Sequence, residues 1–177
     1  SALIALGTDT GGSVRIPASL TGTVGLKTTK GRWPTDGIVP LSTTLDTAGI
    51  LARSVADAAV AFAAVEARLC GPSARPLMSR EISSLRFGVT RDHFRDGSPA
   101  IMAIIESALQ EISHSGAALR EIAFPEAREA ATSSDLAAVL AVEGYANVAI
   151  ELPAWLETLD PNVKQRMVDG RTVTAVY

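Results

Sequence analysis

Gly7-Thr8-Asp9-Thr10-Gly11-Gly12-Ser13-Val14-Arg15-Ile16-Pro17 crowds glycine and hydroxyl residues together ahead of an arginine and a proline. Three glycines within six residues mark a backbone that bends sharply or that another group approaches closely. A serine just after a glycine pair can stand clear of its neighbours, with backbone N–H groups pointing into the space beside it. One loop can in this way supply both a nucleophile and an oxyanion hole. Upstream, Ala2–Leu6 is a short apolar run that reads as a buried strand or helix end leading into the loop. Downstream, Pro17 suits the first position of a short helical turn over Ala18–Leu20. Thr23–Leu26 then reads as a short strand, marked by Gly22 and Gly25.

Rival chemistries for the loop fail on missing residues. A phosphate cradle needs Lys-Ser or Lys-Thr where Ser13-Val14 stands, and no G-x-G-x-x-G is present for a dinucleotide. Asp9-Thr10-Gly11 is the tripeptide of aspartic proteases, but that chemistry needs a second carboxylate, and the sequence holds no second copy. A nucleophile elbow requires G-x-S-x-G, whereas Val14-Arg15 follows Ser13. The two histidines do not supply a triad base: His93 falls in a loop after a strand, and His114 ends a helix, where its charge suits the helix dipole. A purely structural tight turn stays open on composition alone.

Beyond the loop, Thr28–Gly49 is punctuated by Gly31, Pro34, Gly37 and Pro40 and reads as a long loop, a length that is usually functional. Ser54–Leu69 is predicted as a helix, with Ser54 as N-cap and Asp57 as the acid of a capping box. Val55, Ala59, Phe62 and Val65 or Glu66 mark its apolar stripe, and Asp57 and Glu66 are expected as charges on its face. Residues 70–76 have linker composition. Leu85–Val89 alternates like a strand, Pro99–Ser113 reads as an amphipathic helix closed by Gly116, and Ala117–Phe124 as another strand. That order predicts a βαβ unit with parallel strands. Glu126–Glu151 is alanine-rich and helical, broken near Ser133-Ser134-Asp135 and ended by Pro153, and Pro161–Val168 starts a further short helix. The class is α/β.

Composition bounds the partners. With 177 residues the chain can build one ordinary core, and 47% apolar against 20% charged residues excludes disorder as a whole-chain description. A net charge of −3 gives no reason to expect nucleic acid. No apolar run reaches membrane-spanning length. The single cysteine, Cys70, rules out an intrachain disulfide and fits a reducing compartment, so the cytoplasm is expected. The chain opens at Ser1 already inside an apolar segment and stops abruptly at Tyr177, which reads as an internal piece of a longer protein.

The run Gly7 to Ala18, followed by Gly22-Thr23-Val24-Gly25-Leu26-Lys27, closely resembles the signature of the amidase signature family. The match continues through Gly31-Arg32, Gly37, Pro40, Leu45-Asp46, Gly49 and Ala52-Arg53-Ser54-Val55-Ala56-Asp57, over about the first third of the chain. The resemblance implies part of an α/β/α sandwich around a mixed β-sheet, incomplete at both ends. It also implies one partial amidase domain: a signature core at 1–70, a linker at 71–84, and a βαβ unit with a helical remainder at 85–177. Members hydrolyse carboxylic amides with a Ser-Ser-Lys triad and without metal or cofactor. Ser13 would be the nucleophile, the N–H groups of Thr10, Gly11, Gly12 and Ser13 the oxyanion hole, and Asp9 with Arg15 a buried pair supporting the loop.

The bridging serine and the lysine base of that triad belong upstream of Ser1, and neither Lys27 nor Lys30 is promoted in their place. Without a base Ser13 is an ordinary alcohol, so the chain alone is expected to be inactive. Thr28 stands where the family usually has proline, and Gly49-Ile50 lacks the proline common after that glycine. Gly31-Arg32-Trp33-Pro34 and Gly37-Ile38-Val39-Pro40-Leu41 look closer to stand-alone indoleacetamide or mandelamide hydrolases than to the amidotransferase subunit that acts on charged tRNA. Trp33 is a candidate wall of an apolar substrate pocket, and Trp155 is assigned to packing. The expected partner is a small-molecule amide, with neither nucleic acid nor membrane, and a homodimer is compatible. The alternatives are the glutamine-hydrolysing amidotransferase subunit and a non-catalytic remnant.

Overall fold

The structure is a computed structural model that describes residues 2–71, 80–91, 96–132 and 135–173. Its α-carbon contacts group the chain into two units, residues 1–77 with 134–177, and residues 78–133. The helices from residue 135 onward therefore group with the signature core, whereas α4 stays with the βαβ unit.

The first unit is built on a three-stranded antiparallel sheet in the order β1-β3-β2, comprising β1 (Ile4–Asp9), β2 (Val24–Lys27) and β3 (Thr47–Ala52). In register, Gly7 faces Gly49 and Asp9 faces Thr47 across β1 and β3, while Leu26 faces Ile50 across β2 and β3. Three sequence expectations change here. β1 runs on through Asp9, so the first three residues of the glycine-rich stretch are strand, and its Ile4 and Leu6, with Leu3 just before it, are exposed. The central strand β3 lies inside and just beyond what reads as loop, because its glycine and two small residues carry no strand signal. The short helix α1 (Arg15–Thr21) begins two residues before Pro17. Proline is tolerated at its third position because the first four helical N–H groups lack intrahelical acceptors.

Alternation along β3 divides its side chains between two faces. Ala48, Ile50 and Ala52 face a core completed by Trp33, Ala58, Ala61, Phe62 and Val65, with Val24 and Leu26 from β2. The helix on this face is α2 (Val55–Cys70), which starts on the predicted N-cap: Ser54 Oγ accepts the Asp57 N–H at 3.1 Å and donates to Asp57 Oδ2 at 2.8 Å, in place of the backbone bond of a full capping box. Its buried stripe is shifted from the expected one: Ala58 and Ala61 are buried, and Val55 is exposed. Glu66 is not a surface charge. It is 5% exposed, accepts Arg32 Nε at 3.0 Å and Arg32 Nη2 at 2.7 Å, and takes the Trp33 indole N–H at 2.6 Å.

On the opposite face Gly49 meets Val14, which leads into α1. A Cβ on Gly7 or Gly49 would lie 3.2 Å from Val14 Cγ2, and one on Gly25 would lie 2.7 Å from the Val14 carbonyl oxygen. The sheet is thus layered between α1 and α2, the sandwich arrangement expected.

The unit is completed by α5 (Asp135–Gly144), a π-helical continuation (Tyr145–Ile150), α6 (Pro153–Leu156) and α7 (Pro161–Asp169). The second unit holds β4 (Arg86–Val89), α3 (Pro99–His114), β5 (Ala118–Glu121) and α4 (Pro125–Thr132). β4 and β5 pair in parallel with Phe87 opposite Leu119, as a βαβ unit requires. His93 and Ser133-Ser134 lie outside the described residues. Among the described residues no helix is long and apolar enough to cross a membrane, and no group of acidic, cysteine or histidine side chains is arranged to hold a metal.

Candidate active site

The loop between β1 and α1 is organised by one carboxylate. Asp9, at the last position of β1, is fully buried, and its Oδ1 accepts the Gly12 N–H at 2.8 Å. Its Oδ2 accepts the N–H groups of Val14 at 3.2 Å and Arg15 at 3.3 Å, which would otherwise be unpartnered at the start of α1. The Arg15 guanidinium closes on both oxygens, Nε to Oδ2 at 3.0 Å and Nη2 to Oδ1 at 2.9 Å. This fork is the strongest geometry for an arginine–carboxylate pair. The Arg15 hydrogen bond holds the Asp9 carboxyl down at about 2, against the opposing effect of burial. Of the expected buried pair only Asp9 is buried, since the Arg15 side chain is 53% exposed.

Gly12 has φ 129°, a conformation that side chains rarely adopt, and a Cβ there would stand 2.6 Å from Ile16 Cδ1. That turn separates an exposed Ser13 from a fully buried Val14. The chain therefore anchors the valine in the sheet and leaves the preceding serine on the surface. The Ser13 hydroxyl makes no hydrogen bond among the described residues, and the N–H groups of Gly11 and Ser13 meet no acceptor there. The Gly12 N–H differs from these two, being committed to Asp9.

Thr10 and the strand end are tied to the segment before β3. Thr10 Oγ1 donates to Asp46 Oδ1 at 2.5 Å, and Thr47 Oγ1 donates to the Asp9 carbonyl at 2.8 Å. Asp46 Oδ2 in turn accepts the N–H groups of Leu41 and Ser42 at 2.8 and 3.0 Å. Lys30 Nζ donates to the carbonyls of Thr43 and Asp46, and Lys27 Nζ to that of Thr28, so both lysines hold backbone.

Trp33 sits in the core, 5% exposed and stacked on Phe62 with ring centroids 5.6 Å apart. One side of it lines an apolar cavity of about 390 Å3 together with Leu6, Thr8, Ile38 and Val65, and Ser13 is not part of that wall. Trp155 lines a second apolar cavity of about 240 Å3 with Leu41, Val148 and Met167. Cys70 is exposed.

A family model described as Amidase matches residues 1–173. The chain belongs to the amidase family. Among curated relatives of this amidase chain, the 2-amino-5-chloromuconic acid deaminase of Comamonas testosteroni is 46% identical over 99% of the chain and 38% of that protein. The indoleacetamide hydrolase of Allorhizobium ampelinum strain S4 is 38% identical over 70% of the chain and 26% of that protein. A crystal structure of an amidase superposes with a TM-score of 0.75 at 31% identity, covering 97% of the chain and 38% of its partner. The chain thus spans less than two-fifths of the length of these relatives, over which the α/β fold agrees.

The amidase signature drew attention to Asp9, Thr10, Ser13 and Arg15, which the structure places along one strand end and loop. Glu66 was misread, and Ser42 and Glu143 were not singled out. Glu66 and Glu143 stand in helices, where an acid ordinarily reads as solvated. The partners that bury Glu66 are 33 and 34 residues away, and Ser42 is 101 residues from Glu143.

Proposed function

We propose that the polypeptide carrying this chain hydrolyses a small carboxylic amide to an acid and ammonia through an acyl-enzyme on Ser13. The observation that carries the reading is the exposed Ser13 hydroxyl beside two unused backbone N–H groups, on a turn held by a buried carboxylate. In the first half-reaction Ser13 Oγ attacks the carbonyl carbon, the C–N bond breaks, and ammonia leaves with the proton taken from Oγ. Water then cleaves the ester, restoring the hydroxyl and releasing the acid. The N–H groups of Gly11 and Ser13 would carry the negative oxygen. Thr10 adds its N–H to that group in the family pattern, while Gly12 contributes by fixing the turn through Asp9. On this reading the bridging serine and lysine base implied by the resemblance come from outside these 177 residues, and the chain alone would be inactive. A stand-alone amidase of arylacetamide type fits the 31–41 segment best, and no cofactor is invoked.

The test is labelling of the complete protein with a fluorophosphonate probe, which reacts only with an activated serine. Wild type is expected to label at Ser13, and Ser13→Ala to lose both labelling and amide turnover while keeping its circular dichroism. Turnover retained in Ser13→Ala would sink the assignment. Ammonia delivered onto tRNA only in the presence of partner subunits would identify an amidotransferase subunit instead.

A further inference from the structure

One face of α5 reaches the nucleophile loop by two routes. Leu140 packs beside Gly11, where a Cβ would stand 3.6 Å from Leu140 Cδ1. Three residues on, and so on the same face of the helix, Glu143 gathers the segment that precedes β3. Its carboxylate accepts the Ser42 hydroxyl, the Thr44 hydroxyl and, at 3.1 Å, the Thr44 N–H. Next along, Asn147 Nδ2 donates to the Leu41 carbonyl at 3.3 Å. Residues 41–44 are therefore held by side chains of α5 and of its π-helical continuation.

That segment in turn holds the loop. Ser42 is fully buried, and its hydroxyl also accepts the Leu45 N–H at 3.1 Å. The N–H groups of Leu41 and Ser42 aim at Asp46 Oδ2, leaving Asp46 Oδ1 for Thr10 Oγ1. A continuous path of hydrogen bonds thus runs from Glu143 through Ser42 and Asp46 to Thr10, the first residue of the oxyanion loop. Hydrogen bonds to ionised acceptors are the stronger kind, and this path uses two carboxylates in series. Burial alone would raise the Glu143 pKa, but the bonds from Ser42 and Thr44, with the Lys30 charge nearby, leave it below the usual value.

We propose that Glu143 is a positioning residue for the nucleophile loop, setting the place of the Thr10–Ser13 backbone through Ser42, Asp46 and Thr10. The proposal rests on the amidase reading of Ser13 for its chemical consequence, but not for the mechanical coupling. A simple staple between α5 and the 41–46 segment would stabilise the fold without reaching the loop. The geometry instead ends on Thr10.

The test compares Glu143→Ala, Glu143→Gln, Thr10→Val and the double variant Glu143→Ala/Thr10→Val in the complete protein. Hydrogen exchange of the peptide spanning residues 8–14 reports the coupling directly and needs no activity. It should quicken at least about fivefold in Glu143→Ala and much less in Glu143→Gln, which keeps one acceptor oxygen. Fluorophosphonate labelling of Ser13 should slow about tenfold in Glu143→Ala, with kcat falling and KM nearly unchanged. Glu143→Ala/Thr10→Val should be no slower than the slower single variant, because both break one path. Loop exchange and labelling within about twofold of wild type, or a double variant whose effects simply multiply, would overturn the proposal. A lowered Tm with unchanged labelling per folded molecule would do the same. If Glu143→Ala fails to fold, Thr44→Val removes one hydroxyl donor and must shift loop exchange in the same direction, or the proposal falls. Wild type that never labels defeats the amidase reading, and the exchange data still decide the coupling.

Discussion

Replacing Asp9 by asparagine keeps the size of the side chain and removes its charge, which isolates what the carboxylate does. Asp9 accepts five hydrogen bonds, three from backbone N–H groups and two from Arg15. Asparagine retains one acceptor oxygen and places an NH2 group where the other stood. If the oxygen stays on Gly12, the N–H groups of Val14 and Arg15 face a donor. Each buried donor left unsatisfied costs about 1–3 kcal/mol, so a loss of about 2–4 kcal/mol is expected. The pKa gives a similar figure, since a fall from 3.8 to about 2 corresponds to about 2 kcal/mol of folding free energy at neutral pH. Arg15→Ala should cost less, about 1 kcal/mol: its bond is the largest cause of the lowered pKa, but its guanidinium is half in solvent and three backbone N–H groups still hold the carboxylate.

Urea unfolding followed by circular dichroism measures both variants. The pH dependence has a fixed sign. The folded-state pKa of Asp9 lies below its unfolded value, so its contribution is complete above the unfolded pKa and drains away as pH falls through the folded one. The advantage of wild type over Asp9→Asn should therefore shrink by about half by about pH 3. Arg15→Ala proving as costly as Asp9→Asn would refute the reasoning, because it would make the exposed ion pair dominant over the three backbone bonds. A cost for Asp9→Asn that does not change with pH would refute it as well.

Gly25→Ala should cost about 2–4 kcal/mol, read as a lowered Tm, because the new methyl meets the Val14 carbonyl oxygen at 2.7 Å and Ala18 Cβ at 2.8 Å. Gly22→Ala is the control: nothing lies within 4 Å, and only its φ of 67° at the end of α1 opposes a side chain, at about 1 kcal/mol. Glu66→Gln should redden and broaden Trp33 fluorescence, measured in a Trp155→Phe background, as the charge-assisted bond to the indole weakens. Hydrogen bonds from Arg32 and then Trp33 lower the Glu66 pKa, so wild type should move toward the variant's spectrum only as pH falls below the usual carboxylate range. An unchanged spectrum in Glu66→Gln would count against the buried bond.

Much of the fold was readable because its signals are local. The N-cap Ser54 and its acid Asp57 are contained in four residues, and Ser54 Oγ takes the Asp57 N–H as expected. The strand–helix–strand order of residues 85–121 announced its own parallel pairing. β3 was hidden because Gly49 and its small neighbours answer to Val14 and α2, not to strand propensity, and a contact 35 residues away leaves no periodic trace. Glu66 shows the same limit on a helix: its spacing placed it beside the apolar stripe, but only the packed structure brings Arg32 and Trp33 to it. The candidate site divides likewise. Asp9 and Arg15 are six residues apart and could be paired on paper, whereas the acids that reach Thr10 come from two other parts of the chain.

Val14 occupies a socket cut by one glycine from each of three strands, Gly7, Gly25 and Gly49. The neighbouring serine is thereby indexed to the sheet like a tool clamped by its shank. Redesign of the surface around Ser13 then leaves the address of the hydroxyl written in three missing methyl groups. Widening that socket with Val14→Ala would let the shank rattle, and reactivity would be lost from a residue that never meets substrate.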